Sequence, residues 1–218
     1  MTGHRFPLNK MKPLADCRLY GILDTGYVPP DRMETMARAL IAGGVDLLQL
    51  RAKVETTDAI LSMARGIVPL CRGAGIPFIL NDHPALVREA GADGAHVGQE
   101  DMSVAEARKL AGPDALIGKS THSLGQARAS IAEQPDYIGF GPLFVTPTKP
   151  DYTPIGISDL GAVHQLIPFP IFCIGGIRRD NLARVVAGGA RRAVIVSDLL
   201  LAPDPAEQAS ACRALLPG

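Results

Sequence analysis

Arg51, Lys53 and Lys149 are the cations whose placement in this chain suggests a task. Gln49, Arg51 and Lys53 alternate, and alternate side chains of an extended segment point the same way. Basic side chains standing there without an equal number of local acids suit a phosphate or pyrophosphate. A unit charge pair about 4 Å apart near a protein surface is worth about 4 kcal/mol before desolvation, so three cations meeting one leaving group matter. The plain alternative is that Arg51 and Lys53 are solvated loop charges. Asp82 and Asp101, with Asn81 beside the first, form a second group. Two carboxylates from adjacent loops make a sparse Mg²⁺ site that waters and substrate phosphates complete. Against that, Pro84 suits a first helical turn, so Asp82 could simply open a helix, and Asp101 could be a solvent-facing acid near a cap at Ser103. The third group is Gly175-Gly176 with Val196-Ser197. Gly-Gly directly after a buried strand lets backbone N–H groups approach a phosphate; a tight turn is the other reading.

These residues need a scaffold that brings them to one place. Short apolar runs are predicted as strands over Arg18–Leu23, Asp46–Leu50, Pro77–Leu80, Gly94–Val97, Leu116–Lys119, Tyr137–Phe140, Pro170–Ile174 and Ala193–Val196. Longer amphipathic stretches between them predict helices over Asp31–Ala42, Thr57–Gly73, Pro84–Ala90, Ser103–Leu110, Leu124–Glu133, Ser158–Ile167, Asp180–Ala187 and Pro203–Leu215. The strands are near-continuously apolar, as parallel strands covered on both faces are. Ser103-Val-Ala-Glu106 and Ser123-Leu-Gly-Gln126 read as capping boxes, and glycines at the helix ends can take the left-handed conformation. Eight βα units in about 200–250 residues favour a closed (β/α)8 TIM barrel of one domain. A doubly wound sheet is the alternative, but the GxGxxG turn expected after its first strand is missing. Residues 1–13 read as an N-terminal extension and 14–218 as the barrel.

A barrel of this kind places its site at the C-terminal ends of the strands. The residues there are Gln49, Arg51 and Lys53, then Asn81 and Asp82, then Gln99 and Asp101, then Ser120, Thr121 and His122. Thr146, Thr148 and Lys149 follow in the long loop after strand six, Gly175-Gly176 after strand seven and Ser197 after strand eight. Seven strands thus deliver polar residues or glycine to one rim. His96 reads as an interior barrel residue and His122 as a loop hydrogen-bonder. Arg178-Arg179 and Arg191-Arg192 read as solvated faces or interface contacts.

The 218 residues carry 22 Lys+Arg and 22 Asp+Glu, so no excess positive field exists to hold nucleic acid or an anionic membrane. Trp is absent and aromatics are 5%, too few for a base-stacking platform. At 47% hydrophobic and 20% charged the chain is globular. The first ten residues hold no signal-peptide core, and no apolar run is long enough to span a bilayer. Cys17, Cys71, Cys173 and Cys212 form no CxxC pair and read as reduced, mostly buried thiols of a cytoplasmic protein. The histidine spacing supports no zinc site.

The chain resembles the thiamine phosphate synthase family from Leu19 onward. The resemblance is carried by Gln-Leu-Arg-Ala-Lys (49–53), Pro-Phe-Ile-Leu-Asn-Asp (77–82), Gly-Ala-Asp-Gly-Ala-His-Val-Gly-Gln-Glu-Asp (91–101) and Gly-Lys-Ser-Thr-His-Ser (118–123). It continues in Asp-Tyr-Ile-Gly-Phe-Gly-Pro-Leu-Phe-Val-Thr-Pro-Thr-Lys-Pro (136–150), Ile-Gly-Gly-Ile (174–177) and Val-Ser (196–197). It implies the joining of 4-amino-5-hydroxymethyl-2-methylpyrimidine diphosphate to 4-methyl-5-(2-hydroxyethyl)thiazole phosphate, giving thiamine phosphate and pyrophosphate. It assigns the diphosphate to Arg51, Lys53, Ser120 and Lys149, which carry the catalysis, and Mg²⁺ to Asp82 and Asp101. The pyrimidine falls to Gln49 and Asn81, and the thiazole phosphate to Thr146, Thr148, Gly176, Val196 and Ser197. The chain departs from the family pattern at Ala52, which stands for an acid, at Lys119, which stands for an apolar residue, and at His83-Pro84. The alternation of 49, 51 and 53 turns Ala52 away from the ligand. Partners are then small molecules, with no nucleic acid and no membrane, and a homo-oligomer is possible. Two other readings stay open: a thiazole tautomerase on the same barrel, and a non-catalytic barrel that binds a phosphate ligand.

Overall fold

A computed structural model describes residues 11–146 and 153–218. Among them eight strands lie side by side in parallel: β1 Leu19–Asp24, β2 Leu47–Arg51, β3 Phe78–Asn81, β4 Gly94–Val97, β5 Leu116–Thr121, β6 Tyr137–Phe140, β7 Ile171–Cys173 and β8 Ala193–Ile195. Each pairs with the next, and β8 returns to β1 through Leu19 opposite Ala193, so the sheet closes into a barrel. The helices are α1 Met33–Ala42, α2 Thr57–Ala74, α3 Val87–Ala90, α4 Val104–Ala111, α5 Leu124–Glu133, α6 Leu160–Leu166, α7 Arg179–Ala187, α8 Ser197–Leu200 and α9 Pro205–Leu215. The expected TIM barrel is therefore present, with element ends no more than two residues from those expected, the helix from Pro84 apart. Two details differ. The segment predicted as one helix from Pro84 is a 3-10 turn, Pro84–Leu86, running into α3. The short α8 stands between β8 and the last helix, where no helix was expected.

Period two within the strands sorts the residues into two layers. Leu19, Leu23, Leu48, Leu50, Phe78 and Ile117 pack outward with the helices. Tyr20, Ile22, Leu47, Ile79, Tyr137, Phe172 and Val194 fill the barrel itself. The rings of Tyr20, Tyr137 and Phe172 meet edge to face with centroids 5.3–5.9 Å apart and make an aromatic floor under the mouth. Space for Tyr137 depends on Gly118 of β5, where a Cβ would stand 2.2 Å from the tyrosine ring and 2.5 Å from His96 Nδ1.

Local signals behave largely as the sequence implies. Ser103 and Glu106 complete a reciprocal capping box on α4. At α5 only half of the expected box exists: Ser123 accepts from the Gln126 amide, while the Gln126 side chain accepts from His122 N instead. Gly75 ends α2 at φ 69°, and its N–H returns to the last turn. Of the expected extension, residues 1–10 lie outside the described residues, and Lys12 donates its backbone N–H to Gly75 O at 2.7 Å. The four cysteines are free and buried, and burial pushes the Cys17, Cys71 and Cys173 thiols up to about 12. No helix among the described residues is long and apolar enough to cross a membrane.

Candidate active site at the barrel mouth

The inward row of β1 runs Tyr20, Ile22, Asp24, and Asp24 lies in register with Arg51 at the end of β2. Arg51 Nη1 donates to Asp24 Oδ2 at 2.7 Å, and the Asp24 side chain is only 3% exposed. Its other oxygen accepts from Gly26 N at 2.9 Å. A planar guanidinium held from behind by a buried carboxylate keeps its remaining N–H groups aimed in a fixed direction. Asp24 is a residue that sequence reasoning missed. Its signal was parity, since it continues the inward positions 20 and 22 to the strand end.

One strand further round, Lys53 pairs with Asp82. Asp82 has φ 62°, rare for a residue other than glycine, and its N–H donates to His96 O at 2.9 Å. The turn at the end of β3 is thus fixed against β4 while its carboxylate faces the lysine. Asp101, in the loop after β4, accepts from Gly98 N at 2.6 Å, and the Gln99 side chain reaches Ser120 O on β5. The expected surplus of cations includes Lys149, which lies outside the described residues; among the described residues each of the other two faces an acid. Arg51 and Lys53 meet Asp24 and Asp82, and Asp101 adds a third carboxylate. The missed acid is buried Asp24.

Below the rim the polar groups form a chain. The Gln49 amide donates to Tyr20 OH, Tyr20 OH lies 3.0 Å from Tyr137 OH, and Tyr137 OH is 3.2 Å from His96 Nδ1. His96 Nε2 is 2.9 Å from Ser120 Oγ. His96 is indeed an interior barrel residue, and it also carries Ser120. Burial raises both tyrosine hydroxyls above their ordinary range, so they remain neutral O–H groups. His122 Nδ1 bonds Gly141 O, the loop hydrogen bond expected of it.

The opposite side of the rim is built by β6, β7 and β8. Ile195 is in register with Gly21, so Val196 and Ser197 leave the sheet beside the end of β1. Ser197 opens α8 and lines a cavity of about 360 Å³ together with Arg178, Asp198 and Gln208. Gly175 and Gly176 adopt φ 97° and 63°. A Cβ on Gly176 would stand 2.5 Å from Val145 O, and one on Gly175 would stand 2.3 Å from Pro142 Cα. The close approach that demands glycine here is that of the chain's own loop after β6. That loop brings Phe144 and Val145, next to Thr146 in the chain, over Gly176. Thr148 and Lys149 lie outside the described residues.

The model of the thiamine monophosphate synthase family matches residues 19–199. The chain belongs to that family. It is 40% identical over 196 residues to the thiamine-phosphate synthase of Shouchella clausii, covering 89% of this chain and 92% of that one. It is 39% identical over 204 residues to the enzyme of the same name from Chloroflexus aurantiacus, covering 93% and 94%. Among solved structures, thiamine phosphate pyrophosphorylase from Pyrococcus furiosus superposes with a TM-score of 0.86 at 27% identity, over 94% of this chain and 97% of that one. Two departures from the pattern of the synthase family have simple structural accounts. Ala52 is buried in the outer layer, away from the mouth, as the alternation implies. Lys119 also points outward between β5 and the helices, where Nζ donates to Met102 O at 3.1 Å and faces Glu133.

Proposed function

We infer that this enzyme joins 4-amino-5-hydroxymethyl-2-methylpyrimidine diphosphate to 4-methyl-5-(2-hydroxyethyl)thiazole phosphate, releasing thiamine phosphate and pyrophosphate. The observation that carries the reading is the rim itself: in a member of this family, Gln49, Arg51, Asn81 and Ser120 all occupy inward strand positions at one barrel end. In the reaction the C–O bond to the diphosphate breaks and its electron pair leaves with that group. The pyrimidinylmethyl cation left behind is stabilised by its aminopyrimidine ring, and the lone pair of the thiazole nitrogen closes the new C–N bond. No protein nucleophile is needed. The protein's share is to hold the leaving group, align two rings and exclude water.

Arg51, steadied by Asp24, and Lys53 are the groups we assign to the diphosphate, with Ser120 as a hydroxyl donor and Lys149 from the β6 loop. Gln49 and Asn81 take the pyrimidine. Thr146, Thr148, Gly176, Val196 and Ser197 take the thiazole phosphate. Arg51 and Lys53 are already paired with Asp24 and Asp82, so much of the diphosphate's charge is left for a divalent cation to meet. Asp82 and Asp101 suit Mg²⁺, which takes one or two carboxylates and fills its shell with water and substrate phosphate. When bound there, Mg²⁺ supplies charge neutralisation for the departing diphosphate. Lys53, paired with Asp82, stands ready to exchange that partner for the diphosphate. The free, buried thiols support placing the enzyme in the cytoplasm.

The test is direct: purified protein, both substrates and Mg²⁺, with thiamine phosphate measured against an EDTA control. Magnesium-dependent product is expected. No product at saturating substrates would overturn the reading, and release of an isomerised thiazole alone would point to a tautomerase.

A further inference from the structure

We propose that Tyr20, Tyr137 and His96 are positioning residues, forming a one-way hydrogen-bond relay that links the amide of Gln49 to the hydroxyl of Ser120. The relay makes Ser120 meet an anion at the mouth as a donor. Its direction follows from counting protons. Tyr20 and Tyr137 are buried, and each hydroxyl has two partners in the chain from Gln49 to His96 but one proton to give. With Nε2 of Gln49 donating to Tyr20, the Tyr20 proton has Tyr137 as its acceptor. The Tyr137 proton then goes to His96 Nδ1. That leaves the imidazole proton on Nε2, where it is donated to Ser120 Oγ, 2.9 Å away. The Ser120 proton is released to point outward. The opposite order would load Tyr20 with two donors and strand its own proton in the barrel interior, a penalty that a buried polar group avoids.

The arrangement is built into the barrel walls. Gly118 leaves space that both His96 and Tyr137 need, and a Cβ at Gly139 would stand 3.5 Å from His96 Cε1. The imidazole thus lies against two glycine positions that face the barrel interior. The consequence reaches both ends. If the Gln49 amide turned over, every link would reverse and Ser120 would offer lone pairs to the anion instead of a proton. Fixing the Gln49 amide therefore fixes the polarity of Ser120 on the far side of the floor.

The identity of the anion rests on the condensation reading, but the relay can be tested without it. Nitrogen-15 NMR of the wild-type protein at neutral pH, with His96 assigned by its loss in His96→Gln, should show a pyridine-like Nδ1 and a protonated Nε2. Tyr137→Phe should relax that preference and weaken binding of pyrophosphate with Mg²⁺ roughly tenfold, while Lys53 and Arg51 are untouched. An Nδ1-protonated or cationic His96 in the wild type overturns the relay. So does Tyr137→Phe, folded by circular dichroism, with the same tautomer and the same pyrophosphate affinity. The wild-type tautomer needs no variant to fold. An enzyme that makes no thiamine phosphate but shows the expected tautomer would sink the functional reading and leave the relay standing.

Discussion

Carboxylates at the two ends of this barrel face different partners. At the floor, Asp46, Asp93 and Asp136 each stand one residue before an even-numbered strand. Each takes the side-chain role of binding an amide at the start of the preceding strand: Asp46 accepts from Arg18 N and Leu19 N at 2.8 and 3.0 Å, Asp93 from Phe78 N at 2.8 Å and Asp136 from Ile117 N at 2.7 Å. Each also returns its own N–H to the carbonyl of Leu19, Phe78 or Ile117 at 2.8 Å. The same two-point clamp thus recurs three times. In the fourth repeat Arg192 occupies the corresponding place and turns its guanidinium to Ala15 O. The floor aspartates also meet cations, Lys12 and Arg213 at Asp46 and Arg108 at Asp136, whereas at the mouth the side chains of Asp24 and Asp82 face Arg51 and Lys53 without clamping the backbone of a neighbouring strand. A carboxylate given to the backbone is committed to the fold. One given to a lysine or arginine can share or exchange that partner when an anion or a cation arrives.

The sharpest way to break this contrast is Asp82→Asn. Asparagine tolerates the left-handed backbone at this position, so the change removes charge and leaves the turn. Turnover should fall on the order of 100-fold, with the urea midpoint unmoved. Comparable losses in stability would mean that Asp82 belongs with the floor aspartates.

Asp46→Asn should do the reverse. Burial pushes the Asp46 carboxyl up, but the Lys12 ammonium, the amides of Leu19 and Arg18, and Arg213 together hold it below its ordinary value. Because its folded value is depressed, its contribution to stability is present at neutral pH and fades as pH falls through that folded value. Removing the charge should cost about 2 kcal/mol in urea unfolding at pH 7 and leave turnover per folded molecule as it was.

The barrel behind this contrast was legible in the chain, and the clamp of Asp46, Asp93 and Asp136 was not. The apolar runs over 94–97 and 137–140 coincide with β4 and β6, and the alternation of 49 and 51 put both side chains at the mouth. Asp24 escaped notice because it sits just past an apolar run, where an acid reads as the first loop residue. The relay was invisible for another reason. Tyr20 and Tyr137 are 117 positions apart, and periodicity says that both point inward but not that their hydroxyls meet. The helix over Ser197–Leu200 is too short to show a periodic pattern, and the demand for glycine at 175 and 176 comes from a loop that folds back on them.

Asp24→Asn sharpens the comparison from within the mouth. Asparagine keeps an oxygen for Gly26 N but no longer holds the guanidinium by charge. The Michaelis constant for the pyrimidine diphosphate should rise roughly tenfold with a smaller change in kcat, as expected when an anchoring partner rather than a contact is lost. Equal loss in the thiazole phosphate constant would argue that Arg51 serves both substrates.

The smallest effect belongs to Asp93, and it separates the floor aspartates from one another. Burial pushes the Asp93 carboxyl above its ordinary value, and the Phe78 amide and Arg72 do not bring it back. A folded state that holds its proton more tightly than the unfolded chain loses stability as pH rises past the unfolded value. Asparagine keeps an acceptor for Phe78 N and removes that loss. Asp93→Asn should therefore lie within about 0.5 kcal/mol of the parent at pH 7, with any difference in its favour and fading towards about pH 3, where the parent carboxyl is also mostly neutral in the unfolded chain. Urea titrations of parent and variant at about pH 3 and pH 7 measure this directly. A cost at pH 7 as large as that of Asp46→Asn would show that the clamp needs the carboxylate charge, and not only its oxygen, in every repeat.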